Sequence, residues 1–152
     1  MENYFEERVH SALEELKRAD HLLFVSLKYT RTCDVILNVI ARLISAYDLM
    51  IKDLLIYAKD EKLIKTMPVS TKEKLNDAIK LLGPSSKKYI KHYELLKKIH
   101  GCKDISIREE FRKNITLTAT NKKIVEVKAE TLKEYYQTTR EFVVMAMEFM
   151  KQ

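Results

Sequence analysis

Apolar residues recur at Phe5, Val9, Ala12, Leu13, Leu16, Ala19, Leu23 and Leu27. This three-and-four spacing belongs to a helix with one buried face and predicts a long first helix from Tyr4 to Tyr29. A break is expected at Tyr29-Thr30-Arg31-Thr32, with Thr32 as the N-cap of the next helix and Asp34 near the positive end of its dipole. The second helix runs to about Lys62 on the stripe Ile36, Val39, Ile40, Leu43, Ile44, Tyr47, Met50, Ile51, Leu54, Leu55 and Ala58. That stripe is wide enough to face two neighbours, which makes this helix the expected centre of the core.

Pro68 closes the region, and Ser70-Thr71-Lys72-Glu73 forms a capping box for a short helix to Leu82. Gly83 is expected in the left-handed conformation that ends a helix, Pro84 forbids continuation, and Ser85 is placed to cap a segment from Ser86 to His100. Gly101 is expected to end that segment as Gly83 ends the one before. Ser106-Ile107-Arg108-Glu109 repeats the capping-box pattern and predicts a brief helical turn through Arg112. After Asn114 the period changes from three-and-four to two. Ile115-Thr116-Leu117-Thr118-Ala119-Thr120 and Val125-Glu126-Val127-Lys128 alternate around Asn121-Lys122-Lys123, which predicts a small β-hairpin of unsettled register. Leu132, Tyr135, Tyr136, Thr139, Phe142, Val143, Ala146, Phe149 and Met150 then restore a helix from about Glu130 to Lys151. The expected fold is mainly α: one domain over residues 1–152, an antiparallel bundle of about five helices with a small hairpin before the last.

Composition supports this reading, because two glycines and two prolines in 152 residues leave little to interrupt regular structure. No stretch reaches the roughly 18 uncharged residues of a membrane span. Even Cys33 to Ala58 carries Asp34, Arg42, Asp48, Lys52 and Asp53, so no membrane partner is expected. The acidic opening MENYFEERVHSALEEL lacks the basic flank and apolar stretch of an export signal, which makes the cytoplasm the expected location. The net charge of +6 is concentrated in residues 61–103, where eleven lysines face four acids.

Few residue types are placed for chemistry. Cys33 and Cys102 share no metal-ligand spacing with His10, His21, His92 or His100, so no metal site is expected. A metal-dependent hydrolase built from carboxylates and His21 has the least support. His92 and His100 lie about 12 Å apart along one helix, too far to share an ion, and read as scattered surface histidines. Asp34, Asp48 and Asp53 do not share a face and read as surface acids. With so few glycines no loop can cradle a nucleotide phosphate, and no cofactor is expected. Tyr89 and Tyr93 among Lys87, Lys88, Lys91, Lys97 and Lys98 fit two readings. One is a basic face whose rings stack on bases, and the other is a core stripe completed by Leu96 beneath solvated lysines.

Glu14-Glu15-Leu16-Lys17-Arg18-Ala19-Asp20-His21, the break near Tyr29, the second amphipathic helix and Arg108-Glu109-Glu110-Phe111-Arg112-Lys113-Asn114 together resemble the HEPN group of small helical bundles. The resemblance implies a bundle, commonly a dimer, and in many members a ribonuclease built on an Arg separated from a following His by four to six residues. With Arg112 as that Arg and Asn114 as the polar residue after it, the histidine would fall at Leu117, Thr118 or Ala119, and none stands there. The leading expectation is therefore a non-enzymatic, HEPN-like association module that forms a homodimer, because the second helix has a broad apolar stripe and an isolated hairpin needs a supporting surface. The alternative is an RNA-binding or weakly ribonucleolytic domain that uses Lys87, Lys88, Lys91, Arg108, Arg112 and Asn114 on phosphates.

Overall fold

The computed structural model describes residues 2–26, 33–101, 105–110, 114–120, 124–127 and 129–151, with side chains described at 11–24, 35–101, 127 and 130–151. The break at Tyr29, the Thr32 cap and the connection at Asn121 lie outside the described residues. Among those described, the chain is mainly α. Five α-helices carry it: α1 (Glu2–His21), α2 (Cys33–Asp60), α3 (Thr71–Leu82), α4 (Lys87–His100) and α5 (Ala129–Lys151). A π-helical turn, Leu22–Ser26, extends α1, and a 3-10 turn, Pro84–Ser86, leads into α4.

The bundle is organised around α2, which packs against α1, α3, α4 and α5. Ile36, Val39, Ile40, Leu43, Ala46, Tyr47, Met50, Leu54 and Ala58 have no solvent exposure. The broad stripe that suggested a second copy is thus taken up by neighbours in the same chain. Each large aliphatic side chain so buried contributes about 1.5–3 kcal/mol to folding. On α1 the stripe holds at Ala12, Leu16, Ala19 and Leu23, whereas Leu13 is 41% exposed.

The helix ends show how local chemistry sets the boundaries. α2 finishes without a glycine. Lys62 takes φ +60, its N–H donates to the Lys59 carbonyl at 3.1 Å, and the Leu63 N–H donates to the Ala58 carbonyl at 2.7 Å, which is a Schellman closure. At α3 the Glu73 N–H donates to Ser70 Oγ at 3.2 Å, and the Glu73 carboxylate accepts the Val69 N–H at 3.4 Å. Gly83 ends α3 at φ +98, and its N–H donates to the Ile79 carbonyl at 2.8 Å. Ser85 does not cap α4. Ser86, fully buried, directs its hydroxyl to the Gly83 carbonyl at 2.6 Å inside the 3-10 turn. Gly101 also departs from expectation. It stays right-handed at φ −86, because its N–H still reaches the Lys97 carbonyl at 2.9 Å as a last helical bond.

In place of a helical turn followed by a small two-stranded hairpin, the segment before α5 forms a three-stranded antiparallel sheet of order β1-β2-β3. Its strands are β1 (Ile105–Glu110), β2 (Asn114–Thr120) and β3 (Ile124–Val127). The Ser106–Glu109 capping pattern is overridden because Ile105 and Ile107 also alternate, and β2 offers that segment a full antiparallel ladder from Ile105↔Ala119 to Glu110↔Asn114. β2 and β3 pair from Leu117↔Val127 to Thr120↔Ile124. β2 lies against α2 and α5, and Val127 at the end of β3 is fully buried in the common core.

Candidate functional site

α4 divides cleanly into two faces. Tyr89, Ile90, His92, Tyr93, Leu96 and Ile99 are buried, while Lys87, Lys91, Glu94 and Lys98 are exposed at i, i+4, i+7 and i+11, a single row pointing away from the core. The row spans about 16 Å at 1.5 Å per residue. No ion pair occupies Lys87, Lys91 or Lys98 among the described residues. Lys88 and Lys97 flank the row with their ammonium groups 5.0 Å and 5.1 Å from the ring centroids of Tyr89 and Tyr93. Between Thr71 and His100 eight lysines face three acids, so α3 and α4 together carry most of the molecule's positive excess.

The rings beneath these lysines are not available to stack on bases. Tyr89 is 6% exposed and Tyr93 4%. The Tyr89 hydroxyl donates to Glu141 on α5 at 3.3 Å, and the Tyr93 hydroxyl donates to Asp48 on α2. Burial, with Asp48 beside it, pushes the Tyr93 phenol well above its usual range. The core-stripe reading of these tyrosines therefore holds, and what α4 offers a ligand is a row of ammonium groups interrupted by the Glu94 carboxylate, without accessible rings.

His92 is not a surface histidine. It is buried, its Nδ1 lies 2.8 Å from the Tyr47 hydroxyl, and its ring meets Tyr135 edge-on with centroids 5.0 Å apart. Burial pushes its imidazole down to about 4 and the Tyr47 phenol well above the tyrosine range, a hydrogen bond with the Thr139 hydroxyl acting the other way. Both groups are therefore neutral near pH 7. Tyr47 also stacks on Phe142 at 4.9 Å. Because neutral imidazole has one N–H and one lone pair, a single bond to Tyr47 leaves Nε2 without a partner in either tautomer, and it has none. A His–Tyr pair this enclosed can knit α2, α4 and α5 together, but it reaches no substrate.

Asp53, expected at the surface, is 8% exposed. Asp48 is exposed as expected but accepts the Tyr93 hydroxyl, and the Asp34 side chain lies outside the described residues. Sequence reasoning missed Glu15, which is buried on α1 and accepts hydrogen bonds from Arg18 at 2.8 Å and from Arg42 of α2 at 3.3 Å. Its position within the Ala12, Leu16, Ala19 stripe was the signal. Among the sequence-nominated phosphate contacts, the structure brings Lys87 and Lys91 onto one row with Lys88 beside it. Arg108 falls on β1 and Asn114 opens β2, but the side chains of Arg108, Arg112 and Asn114 lie outside the described residues.

Among the described residues no three of His, Cys, Asp or Glu converge as metal ligands, and no helix is long and apolar enough to cross a membrane. No protein-family model, curated protein or solved structure matches the chain.

Proposed function

We propose that this chain is a non-enzymatic, HEPN-like helical module that binds the phosphate backbone of RNA through the lysine face of α4. The observation that carries the reading is the row Lys87, Lys91, Lys98, exposed and free of ion pairs, beside Lys88 and Lys97. Ammonium groups spaced over about 16 Å reach successive phosphates and release counterions on contact. The buried state of Tyr89 and Tyr93 favours backbone contacts without base stacking, hence binding that is indifferent to sequence. The missing histidine of the Arg-x4-6-His pattern argues for binding without cleavage.

The test is fluorescence anisotropy with labelled RNA of two unrelated sequences, comparing the wild type with Lys87→Ala/Lys91→Ala/Lys98→Ala and following strand integrity in the same samples. Comparable affinity for both sequences, lost at least tenfold in the variant with the strands intact, supports the reading. Affinity unchanged in the variant contradicts it.

Homodimerisation is a second reading, favoured by the sheet: among the described residues β1 and β3 each pair on one side only, which leaves edges open to another copy. A dimer closed by strand pairing persists at high salt in light scattering.

A further inference from the structure

The outward row of α4 has a counterpart of opposite sign on α5. Glu130, Glu134, Gln137 and Glu141 occupy i, i+4, i+7 and i+11, the same spacing as Lys87, Lys91, Glu94 and Lys98, and all four are exposed. Set side by side in parallel, the two rows place Lys87 by Glu130, Lys91 by Glu134 and Lys98 by Glu141, with Glu94 opposite the neutral Gln137. No ion pair occupies Glu130, Glu134 or Glu148 among the described residues, while Glu141 accepts the Tyr89 hydroxyl.

The acid row of α5 also borders a shallow, partly apolar depression. Glu141 and Glu148 rim an open groove of about 350 Å³ whose lining includes Tyr89, Val144 and Met145, with Arg140 at its side. Val144 is 43% exposed, an apolar side chain left in water on a row of acids. Lysine suits such a place, because its methylene stem covers apolar surface while its ammonium reaches the carboxylates. Since α4 and α5 pack as neighbours in one molecule with both rows facing outward, neither row satisfies the other within the chain.

We infer that α5 docks the α4 lysine row of a second copy, so that the protein associates head to tail through opposite-sign helix faces. Each copy presents one row of each kind. The contact is heterologous, so association either closes into a ring or continues from copy to copy. The contact consists of exposed ion pairs and is weak and salt-sensitive. RNA bound to α4 competes with it for the same lysines.

The experiment is light scattering and sedimentation of the full chain at several protein concentrations, at about 0.01 M salt, where charges act over about 30 Å, and at about 1 M, where they act over about 3 Å. Four proteins are compared: the wild type, Lys87→Glu/Lys91→Glu, Glu130→Lys/Glu134→Lys, and the combination of all four changes. Glu141 is left in place to keep its bond to Tyr89, and circular dichroism verifies the fold of each variant. At low salt the wild-type mass should rise with concentration to roughly twice the 17.9 kDa of one chain or beyond. It should return to the monomer value at high salt. Either single-row reversal should abolish association, and the combined variant, whose net charge equals that of the wild type, should regain it. A wild type that stays monomeric at low salt, a reversal without effect, or a combined variant that fails to recover overturns the inference.

Discussion

His92 and Tyr47 tie a titratable group into the core where α2, α4 and α5 meet. Two polar groups share one hydrogen bond there, and the unsatisfied Nε2 costs about 1–3 kcal/mol relative to a solvated nitrogen. Protonation would place a cation in this apolar setting, which is why burial holds the imidazole at about 4 against an ordinary 6.5. The unfolded chain therefore binds a proton that the folded chain refuses between those values, and stability falls as pH drops from 6.5 toward 4. Two and a half pKa units correspond to on the order of 3 kcal/mol across that window. Urea unfolding of the wild type and His92→Leu at pH values from 7.5 to 4.5 checks this. The variant lacks the titrating group, so the stability of the wild type relative to it should be constant near pH 7.5 and should fall as the pH drops below about 6.5. A gap independent of pH would show that His92 does not titrate in this range. The burial of His92 was legible after all, since it shares a face with Tyr89, Leu96 and Ile99 at helical spacing. Weighing the two histidines only as possible metal ligands hid that pattern.

At the level of elements, the four long periodic segments were readable because three-and-four spacing over many residues has few competing explanations. Stops were readable where side-chain chemistry dictates them, as at Ser70 with Glu73 and at Gly83. They were not readable where the backbone found an unadvertised solution, as at Lys62, which takes the left-handed position without being glycine. The strand β1 was hidden because Ser106 and Glu109 satisfy a capping pattern while Ile105 and Ile107 satisfy strand alternation, and only pairing with β2 decides between them. The two glycines give a direct comparison. Gly83 sits at φ 98, ψ 171, a region that only glycine occupies freely, and no atom lies within 4 Å of an added Cβ. Gly83→Ala should therefore cost about 1–3 kcal/mol through backbone strain alone. At Gly101 the backbone is ordinary, and an added Cβ meets only the Lys97 carbonyl oxygen at 3.2 Å. Gly101→Ala should change stability by less than about 1 kcal/mol, since the helix gains from alanine what the close contact takes back. Thermal unfolding of both variants measures the difference, and equal losses would contradict this account of the two turns.

For the whole molecule, the arrangement of charge follows from where the core was spent. α2 is enclosed by four helices, so α4 and α5 each bury one face and turn the other outward, lysine-rich on α4 and, on α5, a row of acids flanked by the exposed Lys133 and Arg140. The excess of lysine in the middle third was plain in the sequence. Its division into an outward row at Lys87, Lys91 and Lys98 and two lysines held over tyrosine rings required the packing of α4. The claim that this face meets RNA phosphates is tested most directly by the salt dependence of binding. For single strands the logarithm of affinity falls against the logarithm of salt with a slope of about −0.7 per phosphate neutralised. Contact by the five exposed lysines of α4 predicts a wild-type slope of about −3 to −4, and removal of Lys87, Lys91 and Lys98 should bring it near −1. No binding at low salt, or a slope that the triple substitution leaves unchanged, would contradict it.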